Sequence, residues 1–196
     1  MSFPVWCTCA VCVCASCDKK LTYLAKKYPE TDLEKLVADG TLEPVEHSEW
    51  ANPIVAILKL DKQRVRICGD FKQTVNPVAK LDKYLIPWVE DYFSKLAGGK
   101  TFTKLDLSQA YLQLPLEEEP KEYVVINTHK SLFRYNRLSY GVLSAPGIFQ
   151  RYMENLLQGI PNVVVYLGDI LIMGKTESEH LSTLAKVLTK LEQAGL

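Results

Sequence analysis

Two acidic residues stand where a chain of this kind could hold a metal ion. Asp106 closes the alternating run Lys100-Thr101-Phe102-Thr103-Lys104-Leu105-Asp106-Leu107, and Asp169 follows Gly168 between the apolar runs Val163-Val164-Val165-Tyr166-Leu167 and Ile170-Leu171-Ile172. The first reads as a carboxylate at a strand end, the second as one at the tip of a β-hairpin. Glycine takes positive φ without a Cβ clash, so Gly168 is expected to make the hairpin turn. Paired carboxylates are what a magnesium site for phosphoryl transfer uses, because hard oxygen donors suit this cation and substrate phosphates complete its shell. Each acid also has a plain reading as a solvated turn or strand-end residue. Sequence spacing alone does not make them meet.

The charge balance narrows the partners. Lys plus Arg and Asp plus Glu number 23 each, so no global positive field draws in a polyanion. A local cluster does exist between Lys59 and Lys83, with Lys59, Lys62, Arg64, Arg66, Lys72, Lys80 and Lys83 against Asp61, Asp70 and Asp82. It fits either phosphate contact or a solvated hairpin face.

Five of the six cysteines lie in Cys7-Thr8-Cys9-Ala10-Val11-Cys12-Val13-Cys14-Ala15-Ser16-Cys17. No second cluster or His pair completes a zinc site, and an odd number suits no disulfide framework. Residues 1 to 17 are uncharged but shorter than the ~20 apolar residues of a membrane span, and no basic residue precedes them as in a secretory signal. They are expected to be a Cys-rich leader outside the fold, without membrane association, and the default compartment is cytoplasmic.

The elements that must position the acids follow from periodicity. Residues 18 to 40 form an N-terminal helical segment, with weak periodicity from Asp18 to Tyr28. Thr31 and Glu34 then make a capping box for a helix over 31 to 39 that stops at Gly40. Pro53 to Leu60 and Arg64 to Cys68 read as a hairpin around Asp61-Lys62-Gln63, and Asp70 to Ile86 as a crossing loop. A helix from about Pro87 to Leu96 ends at Gly98-Gly99. The Lys100–Leu107 strand follows and leads into a tight Ser108-Gln109-Ala110-Tyr111 segment. Gly99-Lys100-Thr101 is not the end of a phosphate-binding loop, because position 94 is Ser where that motif needs Gly.

Tyr123–Thr128 and Leu132–Leu138 form a second hairpin. A helix from about Ala145 to Gln158 turns Ile148, Phe149, Tyr152, Met153, Leu156 and Leu157 to a core. A last helix starts at a Thr176 to Glu179 capping box, runs through Leu181, Leu184, Leu188 and Leu191, and stops at Gly195. Mixed strands, hairpins and helices predict an α+β fold.

Four ordered stretches carry a resemblance: Phe102-Thr103-Lys104-Leu105-Asp106-Leu107-Ser108-Gln109-Ala110-Tyr111, then Arg137-Leu138-Ser139-Tyr140-Gly141, then Ser144-Ala145-Pro146-Gly147-Ile148-Phe149-Gln150, and last Tyr166-Leu167-Gly168-Asp169-Ile170-Leu171-Ile172. Together they resemble the reverse transcriptase of gypsy-type long-terminal-repeat retrotransposons, over about residues 31 to 196. The resemblance implies the fingers and palm of a right-hand polymerase, with fingers at about 41–81 and 115–146 and palm at about 82–114 and 147–196. It implies RNA-directed DNA polymerase ancestry, two magnesium ions, a primer-template of RNA or DNA, and deoxynucleoside triphosphates. By the same resemblance Asp106 and Asp169 are catalytic and metal-binding, with the Leu107 carbonyl as a further metal ligand. Tyr111 crowds a ribose 2′-hydroxyl, Arg66 and Lys59 meet the triphosphate, and Gln150 and the Leu138–Gly141 turn lie near nucleotide and template.

Departures from the family pattern bear on activity. The family's hairpin tip reads Tyr-x-Asp-Asp, whereas this chain has Tyr166-Leu167-Gly168-Asp169, so Gly168 stands at a lost metal-ligating Asp. Ser139-Tyr140 stands where the family usually has Pro-Phe. The sequence stops at Leu196, before the primer-gripping strands, thumb and ribonuclease H that the family carries, so a truncated unit with weak nucleic-acid binding is expected. Three readings follow: an impaired polymerase unit, an inactive remnant that binds nucleic acid or protein, and a copy with no retained function.

Overall fold

In the computed structural model of the chain, residues 31–58, 65–79 and 84–196 are described. The Cys-rich residues 1–17, the stretch from Asp18 to Tyr28, Lys59, the Asp61-Lys62-Gln63 turn, Arg64, Lys80, Asp82 and Lys83 lie outside them. In chain order the elements are α1 (Thr31–Ala38), β1 (Leu42–Val45), β2 (Ala51–Leu58), β3 (Val65–Gly69), α2 (Val75–Val78), α3 (Val89–Lys95) and β4 (Thr101–Asp106). A 3-10 turn (Ala110–Gln113) follows, then α4 (Glu118–Lys121), β5 (Val125–Asn127), β6 (Leu132–Tyr135), α5 (Ala145–Leu156), β7 (Val163–Tyr166), β8 (Asp169–Gly174) and α6 (Glu177–Ala194). The described residues form two compact units, the first within 1–79 and 115–142 and the second within 80–114 and 143–196.

The first unit is built on a five-stranded mixed sheet in the order β1-β6-β5-β2-β3. The β2–β3 and β5–β6 hairpins are antiparallel, and β2 joins β5 in parallel through Ala51↔Val125 to Pro53↔Asn127. Asn52 is fully buried at this join, and its amide donates to the carbonyls of Trp50, Tyr123 and Val125 at 3.0, 3.1 and 2.7 Å. Strand β1 is absent from the sequence reading because Pro44 lacks an N–H. It forms as an edge strand paired only with β6, where that missing donor is tolerated.

The second unit is a three-stranded antiparallel sheet in the order β4-β8-β7, with α6 packed on β8 and β4. Thr176 caps α6 by accepting from Glu179 N–H at 3.2 Å, and Gly195 ends it with φ 72°. The buried face of α6 is His180, Thr183, Val187 and Leu191, while Leu181 and Leu188 are exposed. In α5 the buried residues are Ala145, Gly147, Phe149, Gln150 and Met153, so the expected core stripe is corrected: Tyr152 is exposed and the polar Gln150 is inside. Counting only apolar residues moved the stripe away from Gln150. Among the described residues no helix is long and apolar enough to cross a membrane.

Candidate active site

The two acids meet through strand register. β4 and β8 pair antiparallel from Thr101↔Gly174 to Asp106↔Asp169, so the carboxylates stand directly opposite each other at one end of the sheet. Opposed residues share a face, and their Cα atoms are ~4.5–5.5 Å apart. Tyr166 is the β7 partner of Asp169, so the three residues form one row across the sheet. Leu107 N–H donates to the Gly168 carbonyl at 3.1 Å and ties the end of β4 to the hairpin turn.

The turn itself differs from expectation. Leu167, not Gly168, takes the left-handed conformation, with φ 54°. A Cβ built on Gly168 meets only the Ala110 Cβ, at 3.3 Å. The backbone conformation therefore does not require glycine at this position, and a side chain there fits if Ala110 gives by a few tenths of an ångström.

Lys104 completes the charged cluster and was not singled out from sequence. It lies two residues before Asp106 and so on the same face of β4, and its ammonium sits 2.9 Å from Asp169 Oδ2. The hydrogen bond to Asp169 raises the Lys104 pKa, with the charges of Asp169 and Asp106 adding to it. The strand alternation that places Asp106 outward places Lys104 with it, and that was the signal available.

Tyr111 lies on the 3-10 turn, which begins after Gln109 at φ 53°. Its ring centroid is 5.4 Å from that of the fully buried Phe149, with the planes tilted by 56°, and burial raises its phenol pKa. Gln150 is fully buried and its side chain belongs to the hairpin backbone. Its Oε1 accepts from Leu167 N–H at 2.7 Å and its amide donates to the Val165 carbonyl at 2.7 Å.

Arg66 belongs to the first unit. It is exposed on β3, and its guanidinium lies 4.8 Å from the Tyr140 ring centroid, a cation–π distance. The Tyr140–Gly141 turn is fixed from the other side. Gly141 has φ 100°, and a Cβ there would fall 2.2 Å from the Gly69 carbonyl oxygen, so this position does require glycine. Asn76 donates to its carbonyl at 3.0 Å. Lys59, the other expected phosphate partner, is outside the described residues.

Among the described residues no three of His, Cys, Asp and Glu come together as a metal cage. The donors on hand are the carboxylates of Asp106 and Asp169 with backbone carbonyls beside them. That set fits magnesium, which keeps several waters and is held by one or two carboxylates plus substrate phosphates.

The sequence profile described as "Reverse transcriptase (RNA-dependent DNA polymerase)" matches residues 47–196. The chain is 36% identical over 167 residues, 85% of its length, to "Uncharacterized protein K02A2.6" of Caenorhabditis elegans, of which it covers 13%. It is 30% identical over 187 residues, 88% of its length, to the "Retrovirus-related Pol polyprotein from transposon opus" of Drosophila melanogaster, of which it covers 18%. The chain thus spans only a small part of these relatives. Among solved structures it is similar to the foamy viral protease-reverse transcriptase in complex with dsDNA, with a TM-score of 0.78 and 26% identity, covering 87% of this chain and 35% of that one. The same foamy viral protein in complex with RNA/DNA hybrid matches with a TM-score of 0.77 and 26% identity over 87% of this chain and 23% of that one. The mixed α/β architecture is fingers-and-palm-like in the manner of these structures.

Proposed function

Because the chain belongs to the reverse transcriptase (RNA-dependent DNA polymerase) family, we propose that it is the fingers-and-palm unit of a gypsy-type long-terminal-repeat element and that its own nucleotidyl transfer is severely impaired. The observation that carries this is the cross-strand pairing of Asp106 with Asp169 beside a turn whose other position is Gly168. Two carboxylates on one face support cation binding, and the missing third supports weak turnover.

Each residue has a task in this reading. Asp106 and Asp169, with the Leu107 carbonyl, would hold magnesium together with the phosphates of a deoxynucleoside triphosphate. When bound, the cation neutralises charge that develops on the phosphates. Lys104 holds Asp169 Oδ2 and would have to yield that oxygen to a bound cation. Arg66, an exposed guanidinium held against Tyr140, offers a planar fork to the triphosphate, with Lys59 a second cation for it. Tyr111, held against Phe149, is the wall against a ribose 2′-hydroxyl. The macromolecular partner in this reading is a primer-template of RNA or DNA, supported by the foamy viral relatives solved with dsDNA and with RNA/DNA hybrid.

A second reading, binding of nucleic acid without turnover, is favoured by Gly168, which removes a metal ligand while the turn is kept. Manganese titration followed by electron paramagnetic resonance, with and without a deoxynucleoside triphosphate, tests the metal site. The expected result is manganese binding that tightens with the triphosphate and is abolished by Asp106→Ala with Asp169→Ala. Binding unchanged in that double variant contradicts the assignment.

A further inference from the structure

The buried amide of Gln150 has a use that nucleotide contact does not describe. Its Oε1 accepts from Leu167 N–H at 2.7 Å, and its Nε2 lies 2.7 Å from the Val165 carbonyl, 2.7 Å from Glu154 Oε1 and 3.1 Å from the Tyr92 hydroxyl. The amide thus grips the hairpin on both sides of Tyr166, once as acceptor and once as donor. A primary amide has two N–H groups, so the three neighbours of Nε2 use its full donor capacity. Glu154 is itself engaged by the Tyr84 hydroxyl, and the Tyr92 ring stands edge-on to Tyr166 with centroids 5.9 Å apart. Burial raises the Tyr92 phenol pKa, which keeps it a neutral hydrogen-bonding group.

Leu167 is the residue that needs this grip. Its left-handed φ of 54° is unfavourable for a side chain with a Cβ, and it persists where the surroundings over-determine it. We propose that Gln150, braced by Glu154 and Tyr84, is a positioning residue that locks Leu167 in the left-handed turn and thereby sets Asp169, two residues on, opposite Asp106. The lock acts through the backbone of the hairpin and touches no substrate. Its consequence for metal affinity rests on the function proposed above, while its consequence for the turn does not.

The test compares the full chain with Gln150→Leu, which keeps bulk and removes the bonds to Leu167 and Val165 along with those to Glu154 and Tyr92, and with Gln150→Glu, which keeps the acceptor for Leu167 N–H. Amide hydrogen exchange is read at Leu167 and at the core residues Ile172 and Val187. In Gln150→Leu, Leu167 is expected to exchange at least about tenfold faster with the core amides unchanged, and Gln150→Glu is expected to recover part of that protection. Glu154→Gln, which leaves the amide in place and removes the charged brace, is expected to give a smaller acceleration at Leu167, and it decides the matter if Gln150→Leu does not fold. Unchanged exchange at Leu167 in these variants, or acceleration shared equally with Ile172 and Val187, overturns the proposal. Manganese affinity measured in parallel should weaken about fivefold in Gln150→Leu. A wild-type chain that binds no manganese contradicts the proposed function but leaves the exchange result to judge the lock.

Discussion

Lys104 holds Asp169 Oδ2 at 2.9 Å, so in the proposed function a divalent cation would compete with it for that carboxylate oxygen. Both partners of this ion pair are well exposed, at 58% and 36% of their side-chain surface, so solvent screens it and its contribution is small. Lys104→Met should therefore tighten manganese binding only about two- to fivefold, with the gain shrinking as salt rises from 0.05 to 0.5 M. Titration at the two salt concentrations checks both parts. Gly168 offers a second test. Its φ is not left-handed, but a Cβ there lies 3.3 Å from that of buried Ala110, which must give slightly, so Gly168→Asp should cost about 1–2 kcal/mol in unfolding free energy while tightening manganese binding about tenfold or more. The acids were readable from sequence because strand ends and Gly-Asp turns announce themselves. That they stand opposite each other was not, because register joins residues far apart in the chain. The burial of Gln150 was not legible for a related reason: an apolar periodicity leaves out a polar side chain whose hydrogen-bond partners lie elsewhere in the chain.

At the scale of elements, the hairpin formed by β2 and β3, that formed by β5 and β6, the β7–β8 tip and both long helices follow from alternation, turn residues and caps. The parallel join of β2 to β5 and the edge strand β1 do not, since both depend on long-range pairing that local patterns do not encode. Two predictions belong here. Gly141 approaches the Gly69 carbonyl with φ 100°, so Gly141→Ala should destabilise the first unit by about 2–4 kcal/mol in denaturant unfolding. Glu43 on β1 holds Arg134 on β6 and accepts from Asn136 at 3.0 Å. The Asn136 bond first, then the Arg134 bond, lowers its carboxyl pKa below the ordinary 4.5. Between the folded and unfolded values the unfolded chain binds more protons, so stability rises with pH across that window. The contribution is complete above about pH 4.5 and is lost as pH falls through the folded value. Glu43→Gln should flatten this acid dependence of the thermal midpoint between pH 5 and 3, and an unchanged slope would remove Glu43 from the account.

For the whole molecule, equal numbers of basic and acidic residues leave no general attraction for a phosphate backbone. Binding to a primer-template at 150 mM salt is expected in the micromolar range or weaker, with a shallow dependence on salt, and fluorescence anisotropy across a salt series checks this. Nanomolar binding at that salt would show that local basic clusters outweigh the global balance. In the proposed function this family fold keeps two opposed carboxylates at the hairpin tip and lacks a third. Magnesium-dependent primer extension on an RNA template tests it most directly, with wild type, Asp106→Ala and Gly168→Asp measured side by side. The account predicts wild-type extension no higher than the Asp106→Ala background and a clear rise in Gly168→Asp. Wild-type extension well above that background, or no rise on restoring the aspartate, would contradict it.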